Sequence, residues 1–141
     1  MAKFLFLLSM LLLTACSFQQ SRSIENVLLR PDVRTQIVND YVKELVLLTP
    51  DKSATIELEE PITPFGKELL DTLRTKGFPV FVAARTKGTP KANSYTIDSI
   101  GQGVIASSFS SPTLTISRIY TTHGEELTAQ GGFSVLRRED G

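Results

Sequence analysis

The sequence predicts an α+β fold, in which two helices pack on a mainly antiparallel sheet that ends in a C-terminal β-meander. Two stretches in the first half of the chain carry apolar residues at helical spacing. From Ser94 onward, short alternating segments are separated by glycine, serine and proline turns, which is typical of strands joined by hairpins. A sheet with one apolar face needs helices to cover it, so the pattern predicts a single domain over residues 32–141.

Residues 1–15 have the pattern of a secretory signal peptide. Lys3 supplies a positive charge, and the run Phe4–Leu13 that follows is strongly apolar. This run is too short to span a bilayer, which needs about 20 residues. We therefore exclude it from the folded domain.

The single cysteine, Cys16, follows Leu13, Thr14 and Ala15 directly. This order resembles the bacterial lipobox, in which an aliphatic and two small residues form the signal-peptidase site and the cysteine is acylated. Diacylglycerol and an N-linked acyl chain such as palmitate together supply about three acyl chains, more than the two that stable anchoring needs. Ser17 stands where lipoproteins kept in the inner membrane usually carry aspartate, so we expect an outer-membrane anchor facing the periplasm. The alternative is an ordinary signal peptide with an incidental cysteine.

Residues 16–31 are predicted to form the lipidated N-terminus and a tether. Ser17–Ser23 is polar and has no periodicity. Ile24–Leu29 is apolar, and it has two interpretations: it packs on its own domain, or it adds as a strand to a partner's sheet. The candidate partner contacts in this segment are Ile24, Val27 and Leu28.

The first helix is predicted to begin at Pro31 and Asp32, because proline and an acidic residue are both favoured in a first helical turn. Apolar residues then recur at helical spacing, as expected for a buried stripe: Val33, Ile37, Tyr41, Leu45 and Leu48. The segment Thr49–Asp51 ends the helix.

A half-buried strand is expected next, since Ala54, Ile56 and Leu58 alternate with polar residues. The second helix is predicted over Pro64–Lys76, with Thr63 as the N-cap and Gly77 as the C-terminal stop. Its apolar residues are Phe65, Leu69, Leu70 and Leu73.

A further strand, Phe78–Val82, follows at once, and Pro79 favours an edge position or a strand start. Arg85–Asn93 is rich in turn residues and is predicted to be a loop. The meander is then predicted as four strands: Tyr95–Ile100, Val104–Phe109, Thr113–Thr121 and Leu127–Arg138.

The side chains that catalysis needs are scarce in this sequence. His123 is the only histidine and lies in a predicted hairpin turn, and no metal-ligand spacing is present. The glutamates at 57, 59, 60, 125 and 126 fall on polar strand phases or in turns. The 15 basic and 15 acidic residues balance, which removes the bulk attraction for nucleic acid. We expect neither an enzyme nor a metal or cofactor site.

Arg118 interrupts an apolar strand register formed by Leu114, Ile116 and Tyr120. A charge at such a position needs either solvent or a partner carboxylate. Arg118 is therefore both a structural candidate and a candidate subunit contact.

With the elements placed, the chain resembles the TrbH family of conjugal transfer lipoproteins. The likeness runs from about Asp40 to Glu139 and rests on the lipobox, "PITPFGKELLDTLRTKGFPVF", "SYTID" and "TLTISRIYTTHGEELTAQGGFSVLRRE". Phe133 stands where the resemblance implies tryptophan. These are helix-stripe, turn and strand residues, so the resemblance identifies a scaffold.

The resemblance implies a structural or assembly component of a conjugative type IV secretion system, which carries plasmid DNA between bacteria. Its expected partners are channel subunits of the outer-membrane core, within an oligomeric complex, and the membrane through lipid on Cys16. Direct contact with nucleic acid is not expected. The alternative is an envelope binding module, such as a secretin pilotin or an activator of a wall-synthesis enzyme.

Overall fold

The helices and strands follow the order that the sequence pattern predicts, with one short strand added at the start. The computed structural model describes residues 23–60, 62–84 and 93–138, so the signal peptide, the lipobox and most of the predicted loop Arg85–Asn93 lie outside the described residues. The elements are β1 (Ile24–Glu25), α1 (Pro31–Leu48), β2 (Ile56–Glu59), α2 (Pro64–Thr75), β3 (Val80–Ala83), β4 (Ser94–Gly101), β5 (Val104–Ser110), β6 (Leu114–His123) and β7 (Glu126–Arg137).

The strands form two sheets. The larger has the order β1-β4-β5-β6-β7, in which β4 to β7 are an antiparallel meander and β1 runs parallel to β4. The smaller sheet consists of β2 and β3, which run parallel because α2 carries the chain back between them. The predicted α+β class and the meander are confirmed, and the division into two sheets is new.

Helix α1 begins with Pro31 and has Asp32 in its first turn, as predicted. It ends where the Thr49 backbone N–H bonds to the Leu45 carbonyl at 2.9 Å. Its buried residues lie on one face and point to the sheet: Val33, Ile37, Val38, Tyr41, Val42 and Leu45.

Helix α2 has both of its predicted terminal signals. The Thr63 hydroxyl accepts a hydrogen bond from the Gly66 N–H at 3.2 Å, and Gly77 has a φ of 91°, a conformation that glycine adopts without strain. A salt bridge of 2.7 Å between Arg34 and Glu68 joins α1 to α2. The two helices therefore pack as one layer.

Asn93 connects the two sheets. Its backbone N–H donates to the Glu57 carbonyl at 2.7 Å, and its side-chain oxygen accepts from the Glu57 N–H at 2.9 Å. Asn93 is buried, so these bonds satisfy polar groups that would be costly to leave unpaired. The residue lies at the end of the predicted loop, where its structural role has no sequence signature.

One apolar core lies between the helices and the two sheets. Its largest fully buried side chains are Tyr41, Tyr95, Tyr120, Phe65 and Phe109. In the described residues, no helix combines the length and hydropathy that a membrane span requires.

Gly66 packs directly under the ring of Tyr95. A Cβ atom at position 66 would overlap the Tyr95 side chain, since two of the ring carbons would lie only 2.9 Å from it. Tyr95 is itself fixed, because its hydroxyl bonds to the Thr63 hydroxyl at 2.5 Å and its ring packs on Phe65. The first turn of α2 can therefore approach β4 this closely only with glycine at position 66.

We predict that Gly66→Ala lowers the free energy of unfolding by about 1–2 kcal/mol, because overpacking outweighs the better helix propensity of alanine. Urea unfolding followed by circular dichroism measures this loss. The matched control is Gly132→Ala, since a methyl group there would have no atom within 4 Å and the φ of Gly132 is ordinary. Equal stability of the two variants would contradict the prediction.

Candidate functional site

The first candidate region is the N-terminal segment, residues 23–30. Ile24 of β1 pairs with Thr96 of β4, and the Asn26 N–H donates to the Ile97 carbonyl at 2.9 Å. Leu29 is buried, and Val27 packs against the core. The segment therefore packs on its own domain, which is one of the two interpretations of its apolar sequence.

Two apolar side chains of the N-terminal segment nevertheless face solvent. Leu28 is 96% exposed and Ile24 is 41% exposed. Leu28 lies beside a shallow groove of about 270 Å³ that Gly103 and Gly124, from two hairpin turns, also line. An almost fully exposed leucine next to a groove is available to a partner, so the contact at Leu28 stays a prediction.

The second candidate region is the Arg118 cluster, which we define as Asp40, Tyr41, Ser107, Arg118, Tyr120 and Phe133. It forms where β7 bulges away from β6: Ser117 pairs with Ser134 and Ile119 with Gln130, so Arg118 stands opposite three residues. Gly131 lies in this bulge with a φ of 72°. The bulge leaves backbone carbonyls without ladder partners.

The guanidinium of Arg118 bonds both to the bulge in β7 and to helix α1. Its Nε and Nη2 donate to the Gly131 carbonyl at 3.0 and 2.9 Å, and its Nη1 lies 3.3 Å from an Asp40 carboxylate oxygen on α1. The Arg118 side chain is 21% exposed and that of Asp40 32% exposed. Of the two alternatives for Arg118, solvent or a carboxylate, the structure shows a carboxylate, and Asp40 of the same chain supplies it.

The tyrosine hydroxyls complete the cluster. Tyr120 donates to the same Asp40 oxygen at 3.0 Å, while Tyr41 bonds to Ser107 at 2.8 Å and Ser107 donates to the Arg118 carbonyl at 3.0 Å. Burial raises the pKa of Tyr41, and burial together with the Asp40 charge raises the pKa of Tyr120. Both phenols are therefore neutral donors at physiological pH.

Phe133 places an aromatic ring under the Arg118 guanidinium. The guanidinium carbon lies 4.8 Å from the Phe133 ring centre, and the Tyr41 ring meets Phe133 edge-on at 5.0 Å. The aromatic ring at position 133 therefore covers the edge of the apolar core beneath the bulge.

The polar side chains of the Arg118 cluster bond to one another and to the backbone, and so tie α1 to the sheet. Every buried polar side-chain atom in the described part of the chain has a hydrogen-bond partner. His123 is exposed at the end of β6, Glu125 and Glu126 are exposed in the adjoining turn region, and Glu57 and Glu59 lie on the less buried phase of β2. Within residues 23–60, 62–84 and 93–138, no three histidine, cysteine or acidic side chains are grouped to hold a metal ion.

We predict that Arg118→Met lowers the free energy of unfolding by about 1.5–3 kcal/mol, because it removes charge-assisted hydrogen bonds, takes the cation away from the half-buried Asp40 carboxylate and leaves the Gly131 carbonyl without the guanidinium donors. Urea unfolding measures the loss. The matched control is Arg74→Met, which breaks the exposed Arg74–Asp71 pair of 3.1 Å and should cost about 0.5 kcal/mol or less. A double-mutant cycle with Asp40→Asn isolates the coupling; additive losses would contradict a direct interaction.

The fold and the two regions define the class of the protein: a small α+β domain whose internal polar groups hold its elements together and whose N-terminal segment and strand β3 carry exposed apolar side chains. The family follows from comparison with known proteins. The chain belongs to the TrbH family, because the family model described as "Conjugal transfer protein TrbH" matches residues 17–139. A search of curated proteins and a search of solved structures gave no match. The family resemblance over Asp40–Glu139 is confirmed, and membership makes the chain a component of conjugal transfer.

Proposed function

We propose that the protein is an outer-membrane lipoprotein that acts as a structural or assembly subunit of a conjugative type IV secretion system. The observation that carries this proposal is the family match over residues 17–139, directly after Cys16. The lipobox pattern of Leu13, Thr14 and Ala15 supplies the anchor, and Ser17 supplies the outer-membrane sorting. The body faces the periplasm.

Covalent geometry supports a membrane-proximal role. Cys16 and the first described residue, Ser23, are seven residues apart, and a fully extended chain spans at most about 3.6 Å per residue. The folded domain therefore begins within roughly 25 Å of the acylated cysteine. A domain held this close to the bilayer suits a subunit of an outer-membrane core complex.

A non-enzymatic role is part of the same proposal. Arg118 and Tyr120, the polar side chains grouped around Asp40, both bond to its carboxylate. The partners are other channel subunits, and the protein does not contact DNA, since its 15 basic and 15 acidic residues balance and give phosphates no bulk attraction. Repeated copies within the complex fit the symmetry of channels.

The anchor has a direct test in mating cells. Cys16→Ser should abolish labelling by radioactive palmitate and move the protein from the membrane to the soluble fraction, and transfer frequency should fall. Ser17→Asp keeps the acylated cysteine but should move the protein to the inner membrane, which density-gradient fractionation measures. Full transfer by a soluble, unlipidated Cys16→Ser protein would refute the anchoring step.

Leu28 has a matched test as a partner contact. Leu28→Glu should leave the free energy of unfolding unchanged, because the side chain is 96% exposed, yet lower the affinity for the partner roughly tenfold, equivalent to about 1.4 kcal/mol. Crosslinking in cells and transfer frequency are the measurements. Leu47→Glu, at a 67% exposed leucine of α1, is the control. Equal effects of the two substitutions would remove Leu28 as a contact.

The same crosslinking separates the proposal from its alternative. Recovery of secretion-channel subunits supports the transfer apparatus, whereas recovery of a secretin or a wall-synthesis enzyme would make the protein a pilotin or an activator. Both functions share the anchor and the fold. Only the identity of the crosslinked protein distinguishes them.

A further inference from the structure

Strand β3 has an unpaired edge. The carbonyls of Pro79 and Ala83 accept hydrogen bonds of 2.9 Å from the β2 side. Because backbone groups alternate in direction along a strand, Val80 and Val82 present their N–H and C=O groups to the opposite side. In the part of the chain that the structure describes, no strand pairs with β3 on that side. The position of β3 at an edge agrees with the presence of Pro79 at its start.

The unpaired edge borders an apolar groove between β3 and α2. The groove has a volume of about 480 Å³, and its apolar lining consists of Ile62, Pro64, Leu70 and Val82. Val82 is 46% exposed, and Phe81, on the other face of β3, is 58% exposed. An exposed apolar edge strand attracts another strand unless charges protect it, and β3 carries no charge.

The rim of the groove on α2 has a net positive charge. It carries Lys67, Asp71 and Arg74, and the latter two form a salt bridge of 3.1 Å with each other. Lys67 is exposed and forms no ion pair with the described residues. An occupant with a carboxylate near Lys67 would therefore gain a favourable interaction, whereas a second copy would bring two positive rims together.

We propose that β3 and α2 form a docking site for an extended segment of another protein, one that has apolar side chains at alternate positions and an acidic side chain opposite Lys67. The segment adds to β3 as a strand and bonds to the backbone groups of Val80 and Val82. Its alternate side chains enter the groove, since successive side chains of a strand point to opposite faces. This site is separate from the N-terminal segment, and the inference does not rest on the proposed function.

The test uses the full chain in detergent micelles and a display library of random twelve-residue peptides. Enriched peptides should combine alternating apolar residues with an aspartate or glutamate. Lys67→Glu should lower the affinity for these peptides at least tenfold. When the library is selected for binding to this variant, lysine or arginine should be enriched at the position of the acidic residue. Lys43→Glu, at an exposed lysine of α1, is the control and should change neither the affinity nor the selected charge.

Backbone methylation of a selected peptide tests strand addition itself. N-methyl groups on the alternate residues that face β3 should abolish binding, while N-methyl groups on the intervening residues should leave it intact. Equal effects of the two methylation patterns, or a library without the alternating acidic pattern, would overturn the proposal. The proposal would also be overturned if the protein self-associates in analytical sedimentation and Val82→Lys abolishes that self-association, because the edge would then bind a second copy. Circular dichroism verifies that the Val82→Lys variant, changed at a half-exposed position, keeps the fold.

Discussion

The three-way contact of Arg118 with Gly131 and Asp40 is the constraint on which the arrangement of the domain depends. The bulge in β7 would expose an unpaired carbonyl, and α1 would place a carboxylate at the margin of an apolar core. A guanidinium has five donors in a fixed plane, so a single side chain satisfies both groups at once. Lysine, with one ammonium nitrogen, has no such geometry. The tie fixes how α1 lies across the last two strands.

The consequences of this tie extend into the core. With the bulge held, Phe133 turns its ring under the guanidinium and against Tyr41, and Tyr41 bonds through Ser107 to the backbone of Arg118. Each of these groups is partly or fully buried, and each would be costly to leave unpaired. Polar bonds and apolar packing at this position therefore support the same geometry. Because the polar bonds and the apolar packing favour the same geometry, this arrangement of α1 on the sheet is more stable than alternative arrangements.

Much of the fold could be predicted from local pattern, and the rest depends on distant pairing. The stripe of α1 and the Thr63 cap of α2 are local signals, and the strand register of Arg118 indicates that its charge needs either solvent or a carboxylate. Asp40 could not be chosen as that carboxylate, because it lies 78 residues away and the contact exists only once α1 is packed. Alternating apolar and polar residues predict a strand but do not say which strand it pairs with, so the separate parallel sheet of β2 and β3 could not be predicted. β1, with two residues, is too short to have a period.

The N-terminal segment and the open edge of β3 are connected through the start of α2. The Glu25 carboxylate of β1 accepts a hydrogen bond from the Phe65 N–H at 3.3 Å, a favourable position for an anion at a helix N-terminus. Thr63 and Pro64, in the same turn, line the groove beside β3. The N-terminal segment and the β3 groove therefore contact the same first turn of α2. A partner strand on β3 would pack against the helix whose first turn the N-terminal segment bonds, so the proposed docking site and the proposed anchor would be joined through a few residues.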